Sequence, residues 1–255
     1  MEENNPKGYS REISINPGKN ILGLRIMAYK EYIAARHLLT SGFLHQAAFF
    51  INTCLEKELK LYLFSAGIEA NNTHETTKLL NLVSLLEKVT WAKEINREFI
   101  KVNSKIYRTR YFENLGPGFN FVINKNKFLA ELDFTYSLLE SKSQIAMVNK
   151  PNNPFTRSRY QEAVKSNDPK VYLNNYILNN ITKEEFLRQP DMVYEFRILD
   201  THHPVQAEYS IPSNIELDKF NYEGLKQISQ NSMNMSQFIP DNPQSQVLSF
   251  IQSQF

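Results

Sequence analysis

Apolar residues recur at helical spacing through most of the first 148 positions. Leu24, Met27, Ala28, Ala35, Leu38 and Leu39 predict a helix over 21–40, and Gly42 is a suitable stop because glycine enters the left-handed region without steric cost. A second helix is predicted over 43–66, with Leu44, Ala47, Ala48, Ile51, Leu55, Leu59, Tyr62 and Leu63 on one face and Gly67 at its end. So short a connection makes the two helices antiparallel neighbours. Asn72 or Thr73 is the expected cap of a third helix carrying Leu79, Leu80, Val83, Leu85 and Leu86. A fourth is predicted over 91–111, before the break at Gly116-Pro117-Gly118, and a fifth over 127–148 with Phe128, Leu129, Leu132, Tyr136 and Leu139. No strand pattern interrupts this part, so the expected fold is mainly α, an up-and-down bundle of four or five helices.

Asn149-Lys150-Pro151-Asn152-Asn153-Pro154 reads as a connection, and the pattern changes after it. Short helices are expected over 168–180 and 182–189, the second opened by a capping box, Thr182 with Glu185. Residues 192–199 and 205–211 read as two strands of a hairpin around Asp-Thr-His-His-Pro. The expected organisation is an arm over 1–19, a bundle over 20–148, a smaller α+β extension over 149–228 and a Ser/Gln/Asn-rich polar tail over 229–255. Within the arm, Tyr9 to Ile15 alternates weakly, as a short strand or ordered arm would, and Pro17-Gly18 turns the chain.

Composition narrows the class. No run of 18 apolar residues is present, and the polar start has neither a basic nor an apolar segment of the secretory kind, so a cytoplasmic protein is expected. The one cysteine, Cys54, falls in an apolar helical run and is expected to be a buried hydrophobe. The net charge of +2 conceals a split. Residues 1–148 carry 19 Lys and Arg against 15 Asp and Glu, a net +4, and residues 149–255 carry 10 against 12, a net −2.

The sharpest chemical feature lies in the fourth helix. Lys93, Arg97, Lys101, Lys105 and Arg108 follow at steps of four, four, four and three, which places them on one face of a helix; Ile95, Phe99, Val102 and Ile106 form another. Glu94 and Glu98 lie beside the stripe, Arg110 and Tyr111 extend it, and Lys125 and Lys127 follow. Between Lys88 and Lys127 there are nine Lys and Arg against three Asp and Glu, a net +6. Such a stripe either follows a phosphate backbone, with tyrosine stacking on a base, or is a solvated helix face.

The order of short motifs resembles the HEPN domain family (higher eukaryotes and prokaryotes nucleotide-binding). Leu38-Leu39-Thr40-Ser41-Gly42-Phe43 matches a helix ending in a leucine pair and a Gly-aromatic turn. Gln46-Ala47-Ala48-Phe49-Phe50 and Glu56-Lys57-Glu58-Leu59-Lys60 match the alanine-rich second helix, Thr73-His74-Glu75 the Thr-His pair after it, and Thr109-Arg110-Tyr111 the end of the fourth helix, with Phe112 in place of the family's proline. The resemblance covers about half the chain. It implies a helical bundle, a homodimer formed through bundle helices, and a nucleotidyltransferase partner of the toxin–antitoxin kind.

Active members carry an Arg followed after four to six residues by a His, a pair suited to acid–base work on a ribose hydroxyl and to charge on the phosphorane. None of Arg25, Arg36, Arg97, Arg108 or Arg110 is followed by a His at that distance. Arg197 with His202 or His203 has the spacing, in the predicted hairpin. The histidines at 37 and 45 are expected to be surface or loop-packing groups, and His74 to bond locally or to meet a ligand. No Gly-rich Lys-Ser/Thr loop is present, and neither a cofactor nor a metal is assigned. Three readings follow. The first is a noncatalytic nucleotide- or RNA-binding module using Lys93, Arg97, Lys101, Lys105, Arg108, Arg110 and Tyr111. The second is a dimeric interaction scaffold, and the third an unconventional metal-independent RNase built on Arg197.

Overall fold

The computed structural model describes residues 17–70, 73–86, 89–111, 115–143, 158–198 and 204–211. The expectations for residues 1–16, the 149–154 connection, His202, His203 and the polar tail lie outside them; the turn expected at Pro17-Gly18 is instead helical, because proline is well tolerated in the first turn of a helix. Helices α1 (Pro17–Thr40) and α2 (Leu44–Ser65) form the expected antiparallel hairpin. Ala28, Ala35, Ala47 and Ala48 are fully buried, and these small side chains leave room for Tyr32, Leu39, Ile51 and Leu55 to interlock. Gly42 turns the chain with φ +88°, and a Cβ there would lie 3.2 Å from Met192 Cε, so both backbone and space ask for glycine.

α3 spans Thr76–Ser84. Its cap is Glu75, with no side-chain hydrogen bond, rather than Thr73; Asn72 lies outside the described residues. The fourth helix is shorter than its periodicity suggests. Trp91–Lys93 is a separate 3-10 turn, and α4 (Arg97–Tyr107) starts where the Asn96 side chain accepts hydrogen bonds from the Glu98 and Phe99 amides. A second 3-10 turn, Arg108–Arg110, follows directly. α5 spans Lys125–Lys142, starting at the Asn124 cap and ending at Ser143, short of the expected 148. Phe99 and Ile106 of α4 and Phe128, Leu129, Leu132 and Leu139 of α5 join the core built by α1 and α2.

The expectation of a strand-free first part is overturned by β1 (Asn120–Asn124). Phe121-Val122-Ile123 is too short and too uniformly apolar to show alternation, and its partner lies some 70 residues away in the chain. β2 (Asp191–Ile198) and β3 (Pro204–Ile211) form the predicted hairpin, and the three strands pair antiparallel in the order β1-β2-β3. Phe121 stands opposite Phe196, and their rings stack at 5.0 Å. Between bundle and hairpin run α6 (Arg159–Lys165), α7 (Pro169–Tyr172) and α8 (Lys183–Leu187). The capping box Thr182–Glu185 is present as read; the longer helix expected over 168–180 is only the α7 turn, and α6 is an addition. The architecture is mainly helical, with a small antiparallel sheet completed by the C-terminal part. Among the described residues, no helix is long and apolar enough to cross a membrane.

Candidate nucleic-acid interface

The Asn96 cap divides the basic stripe. Lys93 belongs to the preceding 3-10 turn, out of the α4 register. Arg97 heads α4, but its guanidinium donates to Asn81 Oδ1 at 2.7 Å and Ser84 Oγ at 2.9 Å, fastening α4 to α3. The remaining cations gather at the other end of α4. Lys101 and Lys105 are exposed one turn apart. The Lys105 ammonium lies 4.9 Å from the Phe119 ring centroid, and burial, then Lys101, pushes its pKa down. Arg108, Arg110 and Tyr111 are exposed beyond the helix, with Tyr111 63% exposed. The Arg110 guanidinium lies 3.6 Å from the Tyr107 ring centroid and 5.5 Å from that of Tyr111, so two rings hold it in place. Among the described residues, none of Lys101, Lys105, Arg108 and Arg110 has a salt-bridge partner.

The turn carrying these cations is tied to α2 by a contact the sequence does not announce. His45 is no simple surface group. Its ring stacks 5.3 Å from Tyr194 and meets Phe49, Phe121 and Phe196. Its Nε2 lies 2.8 Å from Thr109 Oγ1, which itself donates to the Ile106 carbonyl at 2.7 Å. With that hydroxyl proton engaged, Thr109 accepts here, so Nε2 carries the imidazole proton. Burial pushes the His45 pKa down to about 4, so the ring is neutral near pH 7. Thr109, fully buried between Arg108 and Arg110, thereby anchors the basic turn.

His74 follows the local-bonding expectation: Nδ1 lies 2.9 Å from Glu56 Oε1, an oxygen that also accepts from Lys60 Nζ at 2.8 Å. Cys54 is buried as expected, and burial raises its thiol pKa well above the usual range, which leaves it the neutral thiol. Arg197 is a β2 residue 3.5 Å from Glu195. Among the described residues, no group of three or more His, Cys, Asp and Glu is arranged to hold a metal ion. His45, Tyr107 and the Glu56–His74 pair were missed as parts of this region. Only Tyr107, four residues before Tyr111, carried a hint in its spacing.

Comparison with curated proteins and with solved structures gave no match. Residues 24–125 match the family model described as HEPN domain. That span runs from α1 through the Arg108–Arg110 turn to the first residue of α5, and includes every cation of the basic surface from Lys93 to Arg110. Over residues 24–125, this chain is similar to the HEPN domain family.

Proposed function

We propose that the chain is a noncatalytic nucleotide- or RNA-binding module whose ligand phosphates lie on the C-terminal end of α4. The carrying observation is the run of exposed Lys101, Lys105, Arg108 and Arg110, without salt-bridge partners among the described residues, with the half-buried Tyr107 ring and the exposed Tyr111 ring beside Arg110. Cations supply affinity for a phosphate chain, and aromatic rings accept bases of any identity by stacking. Lys93 extends the surface from the neighbouring turn; Arg97, engaged with α3, has the smaller part. The noncatalytic reading follows from the bundle's lack of an Arg followed at four to six residues by a His. A homodimer, a nucleotidyltransferase partner of the toxin–antitoxin kind and a cytoplasmic location belong with this family reading.

The test is fluorescence anisotropy of a labelled single-stranded RNA at two salt concentrations. Four phosphate contacts predict an affinity loss of about 50-fold between about 50 and 200 mM salt. The variant carrying Lys101→Glu, Lys105→Glu and Arg108→Glu is expected to lose binding while keeping its helical circular dichroism. It spares Arg97, whose replacement would also loosen α3. Salt-insensitive binding, or none at micromolar protein, would make the stripe a solvated face and favour the scaffold reading. Phe43, at the N-cap of α2, and Phe50 within it, 56% and 40% exposed, would then be the residues to test for self-association.

A further inference from the structure

The segment leading into α3 brings a histidine beside α4, where Thr76 meets Ser104 one turn before Arg108. The His74 side chain is 73% exposed, yet its Nδ1 is fixed 2.9 Å from Glu56 Oε1, on a carboxylate only 11% exposed. Lys60 Nζ donates to the same oxygen. An ionised carboxylate only accepts hydrogen bonds, so Nδ1 carries the proton in this contact. In the neutral ring, Nε2, on the opposite edge, is then an unprotonated acceptor.

The position of this edge is set by two neighbours. Thr76, two residues on, hydrogen-bonds both Asn52 Oδ1 of α2 and Ser104 Oγ of α4. Ser104 lies one turn before Tyr107 and Arg108, so His74 stands beside the helical turn that leads into the basic end. The Tyr107 hydroxyl feels both sides: burial raises its pKa most, Arg110 opposes this, and the Glu56 charge adds to the rise. The Thr76–Ser104 bond thus sets the anchored imidazole of His74 beside the turn of α4 that precedes the ring-held Arg110 guanidinium.

We propose that His74 reads the ribose 2′-hydroxyl of a strand whose phosphates lie on Arg108 and Arg110. The hydroxyl donates to Nε2, and Glu56 is the positioning residue that fixes the tautomer and the ring. A deoxyribose has no donor at that position, so the patch distinguishes RNA from DNA. The inference rests on the phosphate-contacting reading of α4 and adds a specificity residue to it.

The experiment uses the full chain and two fluorescent probes, a short oligouridylate and the oligodeoxyuridylate of equal length. One lost hydrogen bond predicts that the wild type binds the ribose probe about three- to tenfold more tightly. His74→Ala is expected to lower ribose-probe affinity to that of the deoxyribose probe and to leave the latter unchanged. The ring is largely exposed, and an unaltered circular dichroism spectrum checks the fold. The α4 charge-reversal variant is expected to weaken both probes alike. Equal affinities in the wild type, or a preference that survives His74→Ala, would overturn the ribose assignment alone. Equal weakening of both probes by His74→Ala would make the imidazole a phosphate contact and also overturn it. Absence of binding to either probe would overturn the phosphate-surface reading and this inference with it.

Discussion

His45 shows how one side chain links the hairpin, the bundle and the basic turn. Its folded-state pKa of about 4 lies below the ordinary 6.5 because burial disfavours the cation. Between those values the unfolded chain binds the proton more readily than the folded one. The contribution of the neutral ring is therefore complete above pH 6.5 and is lost as the pH falls through 6.5 toward 4. The ring is part-exposed, so solvent screening reduces the effect to about 1–2 kcal/mol. His45→Phe keeps an aromatic ring against Tyr194 and Phe196 and removes the titration. Urea unfolding at pH 7 and at pH 4.5 is expected to show a smaller acid loss for this variant by that amount, although it gives up the bond to Thr109. An acid loss equal to that of the wild type would detach the titration from His45.

At the scale of elements, the Asn96 cap decides how the basic stripe is used. It starts α4 three residues after the 3-10 turn has ended, and the Arg97 that follows it is bonded to α3 rather than left in the row with Lys101. Asn96 also donates to Glu131 Oε1 of α5 at 2.9 Å, so the cap is tied to the core. Asn96→Ala is expected to cost about 1–2 kcal/mol in chemical denaturation, with little effect on RNA affinity; a cost near zero would mean that α4 starts there without the side chain. The sequence pattern made α1, α2, α8 and the hairpin legible because each has a local signal: heptad-like apolar spacing, Gly42, a capping box or strand alternation. It made the interruption at Asn96 illegible because Ile95 and Phe99 continue the helical period across the cap. β1 was hidden for the opposite reason, since three apolar residues acquire a strand's identity only from distant Tyr194 and Phe196. The cations of the candidate site were legible as charges at a fixed spacing. Their division into one that fastens α3 and four that remain at the far end depends on Asn81 and Ser84, which no periodicity points to.

At the scale of the whole molecule, the buried Arg36 guanidinium joins the bundle to the segment that leads to the sheet. Arg36 of α1, 2% exposed, pairs with Asp133 of α5 and donates to the carbonyls of Lys170 and Leu173 around α7. Asp133 also accepts from Tyr32 Oη at 2.8 Å, and the Tyr32 ring stacks 4.0 Å from Tyr136 and edge-on to Tyr160 of α6. These contacts hold the α6–α7 segment onto the helices. Removing one partner of a buried pair leaves the other charge without compensation, so Asp133→Ala is expected to cost about 3–5 kcal/mol in global stability. Arg36→Met is expected to act differently in location: it removes the two carbonyl contacts as well. Amide exchange at Val171 and Leu173 should therefore accelerate in Arg36→Met by more than the loss of global stability explains, whereas in Asp133→Ala it should follow global unfolding more closely. The double variant Arg36→Met, Asp133→Leu replaces the pair with apolar groups and should recover much of the stability lost in Asp133→Ala, yet keep the fast exchange around α7. Recovery of both together would mean that α7 is held by apolar packing of Val171 and that the guanidinium adds nothing to its attachment. Recovery of stability alone would identify the Arg36 hydrogen bonds as the link between the bundle and the segment that leads to the sheet.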